Sequence, residues 1–177
     1  MIAGFYSDPH FGHANIIKYE SRPFENALEM NERLICRYNE VVHPGETILW
    51  LGDCFLMPFN LASRVMSRLN GSKILIPGNH DRSTRAMLSI GFDLVLPEVF
   101  MLIKGHKCRF SHYPYRTKGQ EEAGVGFKRP VRSSDKGSIL IHGHTHGKLK
   151  RHSDMIHVGV DAWDYGPVRL EEVERLL

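Results

Sequence analysis

Three observations predict an α/β protein, a sandwich of sheets flanked by helices. Short apolar, strand-like runs alternate with helix-like segments as far as residue 90. After Gly91 the chain becomes strand-rich. Four of five short motifs built from Asp, His, Asn and Gly directly follow a strand-like run, where an α/β sheet presents its functional loops. With 177 residues the chain suffices for one substantial core and is short for two, so residues 1–177 are expected to form a single domain.

The elements follow in order. Ile2 to Tyr6 is an apolar run and the first strand, and Asp8-Pro9-His10 is its exit. Between Asn26 and Val42, Leu28, Leu34, Ile35, Tyr38 and Val42 recur near helical spacing until Pro44-Gly45 stops them. Thr47 to Leu51 is a second strand, ending at Gly52-Asp53. A helix starting at Asn60 or Ser63 carries Leu61, Val65, Met66 and Leu69 and closes at Asn70-Gly71. Lys73 to Ile76 is a third strand, which Pro77-Gly78 turns into Gly78-Asn79-His80-Asp81, and a helix through Thr84 to Ile90 follows.

Leu94 to Leu96, Val99 to Ile103 and Cys108 to Ser111 are predicted strands, the last two joined by a tight turn at Lys104-Gly105-His106. Residues 114–136 are polar, contain Gly119, Gly124, Gly126 and Pro130, and form a loop long enough to suggest a functional role. Ser138 to Ile141 is a strand with Gly143-His144-Thr145-His146 as its exit. Strands near Ile156 to Val160 and Val168 to Leu170 precede a brief acidic helix.

Composition narrows the class. Hydrophobic residues make up 42% and charged residues 24%, the balance of a globular protein, and no apolar run reaches transmembrane length. The start lacks the basic region and long apolar stretch of a secretory leader, so a cytoplasmic protein is expected. Cys36, Cys54 and Cys108 are odd in number and widely spaced, which argues against a disulfide framework or a structural zinc knuckle. The net charge is only +3, yet Lys104, Lys107, Arg109, Lys128, Arg129, Arg132, Lys136, Lys148, Lys150 and Arg151 gather in the second half. A solvated face is the first interpretation of these cations, and attraction of an anionic substrate the second.

The motifs differ in weight. With 11 histidines, a His-x-His pattern has roughly 0.7 occurrences expected by composition alone, whereas about 0.002 are expected of the Gly-Asn-His-Asp tetrad. Together with Ser111-His112, the motifs bring carboxylates, an amide oxygen and imidazoles, the mixed O/N donor set suited to two adjacent divalent transition metals. Asp is also common in turns and helix caps, but Asp8 and Asp53 both stand at strand ends within this series.

In these blocks and their order, the chain resembles the calcineurin-like metallophosphoesterases, from Asp8 to about Tyr165. Phe11-Gly12-His13-Ala14-Asn15-Ile16 and Val160-Asp161-Ala162-Trp163 add likeness to the small single-domain bacterial and phage members. The resemblance implies a four-layer αββα sandwich of two mixed sheets flanked by helices. It implies one metal on Asp8, His10 and His146, a second on Asn79, His112 and His144, and Asp53 bridging the two. A hydroxide shared by the two metals is then expected to attack phosphorus, with His80 protonating the leaving group and Asp81 orienting His80.

Substrate contacts are expected at His13, Asn79 and Arg82; His13 reads equally well as helix-start structure. His142 is expected to support the site or the core, and His43, His106, His152 and His157 to be surface or packing residues. The cofactors expected are two divalent ions, Mn, Fe or Zn, with Mn the best support for activity in vitro. The substrate expected is a nucleotide-like phosphodiester or phosphomonoester. The alternative is a nuclease or nucleic-acid end-processing enzyme on the same site, suggested by the basic second half. An interaction module without catalysis is disfavoured because no ligand position is lost.

Overall fold

Apolar residues on both faces of a strand demand cover on both faces, and the first sheet of this protein meets that demand in two ways. The structure, a computed structural model, describes residues 1–115 and 137–177. The first sheet contains β1 (Ile2–Tyr6), β2 (Thr47–Trp50), β3 (Ser72–Leu75), β4 (Leu94–Val95) and β10 (Val168–Arg169) in the order β10-β1-β2-β3-β4. β1 to β4 run parallel and β10 is antiparallel to β1. The second sheet, in the order β5-β6-β7-β9-β8, contains β5 (Val99–Ile103), β6 (His106–Phe110), β7 (Ile139–His142), β8 (Arg151–His152) and β9 (Met155–His157). Its three central strands β6, β7 and β9 are mutually parallel.

One face of the first sheet carries Tyr6, Ile48, Trp50 and Leu75. They pack under the helices α2 (Ala27–Val41), α3 (Phe59–Met66) and α4 (Thr84–Ile90). The other face presents Phe5, Leu49 and Leu51 to Ile103, Phe110, Ile141 and Ile156 of the second sheet. The Phe5 and Phe110 rings stack across this interface with centroids 5.1 Å apart. The expected αββα architecture of two mixed sheets with helices is therefore present. A short α5 (Leu170–Glu174) lies against β1 and β10. On the second sheet Leu140 and Met155 cluster with Tyr115. Most of the loop expected at 114–136 lies outside the described residues.

Local sequence explains the boundaries. Asn26 caps α2 by accepting the Leu28 and Glu29 N–H groups, each at 3.0 Å. Met30, Leu34, Ile35 and Tyr38 form the buried face, while Leu28, expected on that face, is 71% exposed because the capped first turn points it outward. α3 begins one residue before Asn60, after Pro58, and buries Ala62 where Leu61 was expected. Two short elements are too brief to show periodicity: α1 (Ala14–Tyr19), anticipated only by reading His13 as a helix start, and β8, which was not foreseen. All three cysteines are free. No described helix is long and apolar enough to cross a membrane.

Candidate metal centre

Six parallel strands, three from each sheet, point their C-terminal ends to the same place, and every predicted ligand sits just beyond one of them. Asp8 and His10 follow β1, Asp53 follows β2, Asn79 follows β3, His112 follows β6, and His144 and His146 follow β7. The sheets are joined at this end: Ser7 bridges Gly159, and the His144 N–H reaches both Asp8 carboxylate oxygens at 3.0 and 2.9 Å. Five of these residues have left-handed backbones: Asp8 (φ 59°), His10 (50°), Asp53 (55°), His144 (70°) and His146 (52°). Such strain in non-glycine residues persists only where the surroundings over-determine it, as at functional sites. Two glycines allow the close approach. A Cβ on Gly78 would collide with Asp53 Oδ1, and one on Gly143 with Ser7 Oγ.

The side chains fall into two groups, Asp8 with His10 and His146, and Asp53 with His112 and His144, each offering three ligand atoms within 4.8 Å of one another. Asp53 connects them, because its Oδ2 lies 3.6 Å from His10 Nε2 and 3.5 Å from His112 Nε2. His112 Nδ1 donates to the Leu51 carbonyl at 2.6 Å, which turns Nε2 toward His144 Nδ1 at 3.0 Å. Asp8 and His112 are almost fully buried, and neither ring nitrogen of buried His10 has a hydrogen-bond partner.

The electrostatics describe a site short of positive charge. Burial raises the Asp8 pKa, and the Asp53 charge adds to the rise. Burial pulls His10 well below its usual range even beside Asp53. Burial also opposes protonation of His112, but the bond to Asp53 and the charges of Asp8 and Asp53 carry it up to about 9. Asp53 is lowered against the effect of burial, chiefly by His112. Asp8 and Asp53 thus favour a proton on His112, while His10 is kept neutral with a lone pair to offer. The orphaned His10 nitrogens and the mixed O/N donors fit a pair of divalent ions.

The remaining predicted residues lie outside the two groups. His80 has a 45% exposed side chain with Nε2 3.9 Å from Asp53 Oδ2, and its ring meets His10 edge-on at 5.4 Å. Its N–H donates to Asp53 Oδ1 at 2.9 Å. Asn79 stands exposed on the same loop. His13 is the N-cap of α1, as one reading expected, and its ring also lies 5.7 Å from that of His10. Arg82 is exposed and donates to the Met57 carbonyl at 3.1 Å.

Asp81 corrects an expectation. Its oxygens accept the N–H groups of Asp53, Cys54 and Gly78 at 2.9, 2.9 and 2.8 Å, so it holds the Asp53 turn and does not pair with the His80 ring. His142 is buried as expected, and of the two alternatives for His157 packing holds: it lies buried beside His142 with ring centroids 5.4 Å apart. Burial lowers their pKa values to about 4 and about 3. Sequence reasoning gave no role to buried Arg22 and Asp161, which form a 2.8 Å ion pair behind His146. The only signal was Asp161 within the Val160–Trp163 segment.

Three of the described basic residues of the second half pair locally: Arg109 with Glu98, Lys104 with Glu174, and Lys150 over the Trp163 ring. Lys128, Arg129, Arg132 and Lys136 lie outside the described residues.

No family model matches the sequence. Uncharacterized protein MJ1445 of Methanocaldococcus jannaschii is 31% identical over 180 residues, covering 97% of this chain and 88% of the archaeal protein. The chain belongs to the family of MJ1445. Among solved structures, AQ665 of Aquifex aeolicus, described as a protein of unknown function, overlaps with a TM-score of 0.74 and 27% identity over 98% of both chains. YfcE, a phosphoesterase from E. coli, is a remote likeness, with a TM-score of 0.43 and 17% identity over 88% of this chain and 76% of that one.

Proposed function

We propose that this protein is a metal-dependent phosphoesterase of the calcineurin-like type that hydrolyses a nucleotide-like phosphodiester or phosphomonoester at a two-metal site. The observation that carries this reading is the position of Asp53 Oδ2 between His10 and His112, which makes one carboxylate common to both ligand groups. Asp8, His10 and His146 would hold one divalent ion, and His112 and His144, with Asn79, the other. Two such ions supply neutralisation of phosphoryl charge and a lowered pKa for water.

The chain's own groups account for the rest. Asp53 is fixed by the His80 N–H on Oδ1, which leaves Oδ2 to face both groups. His80, half-exposed above them, is placed to donate a proton to the leaving oxygen. His13, whose ring neighbours that of His10, and exposed Arg82 would be the groups offered to the substrate beyond phosphorus.

Equilibrium dialysis against Mn²⁺, then turnover of aryl phosphates and bis-aryl phosphates, tests the reading. Two ions per chain and metal-dependent diester cleavage are expected; uptake of one ion or none overturns the two-metal assignment. Salt-sensitive cleavage of DNA or RNA would move the substrate to nucleic acid.

A further inference from the structure

We propose that Arg22 and Asp161 are positioning residues that set the Asp8, His10 and His146 group for its cation; the inference rests on the two-metal reading above. Arg22 is buried with its side chain fully enclosed, and Asp161 is nearly so. The guanidinium makes a two-pronged contact, Nε to Asp161 Oδ1 at 2.8 Å and Nη2 to Asp161 Oδ2 at 2.9 Å. The same Oδ2 lies 2.9 Å from His146 Nδ1. Asp161 therefore accepts a hydrogen bond from the His146 Nδ1–H and turns the Nε2 lone pair away from itself, the arrangement by which a carboxylate fixes the tautomer and ring angle of a ligating imidazole.

The other end of Arg22 acts on the main chain. Nη2 donates to the Asp8 carbonyl and Nη1 to the Pro9 carbonyl, both at 2.9 Å. These carbonyls lie in the turn where Asp8 and His10 take left-handed conformations. One guanidinium thus reaches all three members of the group, two through their strained turn and the third through Asp161. The second group has no such contact with Arg22 or Asp161 among the described residues. A buried ion pair is weak evidence for net stability, since desolvation offsets much of the attraction, so its use lies in geometry. A lysine could supply the charge, but not the planar fork that meets a carboxylate and two carbonyls together.

The test is Mn²⁺ binding to the full chain by equilibrium dialysis and calorimetry, independent of turnover. Wild-type protein should show two sites. Asp161→Asn should weaken one by about 10- to 100-fold and spare the other. Arg22→Lys, which keeps the charge and loses the fork, should weaken the same site, and the double variant should lose less than the product of the single losses. Two wild-type affinities in Asp161→Asn, equal weakening at both sites, or fully multiplicative losses would each overturn the relay. Should Asp161→Asn fail to fold, the site-selective loss in Arg22→Lys decides. A wild-type chain that binds fewer than two ions refutes the underlying metal reading instead, which keeps the two failures distinct.

Discussion

Asp81 holds Asp53 by its main chain: the Asp81 Oδ2 accepts the Asp53 N–H at 2.9 Å, while its Oδ1 accepts the next N–H, that of Cys54, also at 2.9 Å. The carboxylate proposed to be common to both metals is therefore aimed by a neighbour that is itself a member of neither ligand group.

Asp81→Ala should strand three N–H groups around a partly buried turn. The expected cost is about 2–4 kcal/mol of stability, judged from hydrogen bonds to a charged acceptor. Metal affinity should fall with it, while Asp81→Asn should lose less. Denaturant unfolding with Mn²⁺ titration measures both; an unchanged midpoint in Asp81→Ala would show that the turn holds itself.

His80→Ala should retain both metals and the fold. Loss of a general acid typically costs ~10² to 10⁴ in rate, more for basic leaving groups than for activated aryl ones. Metal content and turnover across a leaving-group series check this. Loss of metal would make His80 a ligand, and a uniform penalty would leave it a phosphate-binding group.

Gly143→Ala places a methyl group against Ser7 Oγ and close to the Asp8 carboxylate, at the seam between the sheets. Overpacking of this kind costs about 1–3 kcal/mol, and the shift should also disturb the Asp8 group. Thermal unfolding of Gly143→Ala beside Gly45→Ala, where nothing lies within 4 Å and the backbone is likewise outside the left-handed region, isolates the collision from the loss of glycine as such. Equal losses in the two variants would assign the effect to the loss of glycine.

Acid should destabilise the protein through His142 and His157. Both are held neutral by burial, at about 4 and about 3, below an unfolded value of about 6.5. Their contribution is fully present above pH 6.5 and is lost as pH falls, because the unfolded chain takes up protons that the folded one refuses. Near pH 4 the loss is on the order of 3 kcal/mol per histidine from shifts of this size. The unfolding midpoint of wild-type protein should fall more steeply between pH 6.5 and 4 than that of His157→Gln. Parallel curves would show that His157 does not titrate in the linked range.

The ligand groups were legible because each lies in a short motif at a strand end, where local pattern and site coincide. Asp8, His10, Asp53, His112, His144 and His146 come together for that reason. Arg22 and Asp161 were not legible: they stand 139 positions apart in the chain, and Arg22 in its Ser-Arg-Pro context resembles an ordinary exposed cation. Asp81 was found, but its partners were misassigned, since sequence adjacency to His80 says nothing of which way a turn directs its side chains. The long helix α2 was readable from periodicity, whereas six-residue α1 and two-residue β8 contain too few positions to reveal one.

The bridge between Ser7 and Gly159 has a consequence for how the molecule is made. During synthesis the first ten residues supply Asp8 and His10 long before His146 exists, and Asp161 comes later still. Neither ligand group can close on a nascent chain that has only its first sheet's parallel strands, so ion capture should be a late event that reports the docking of the two halves.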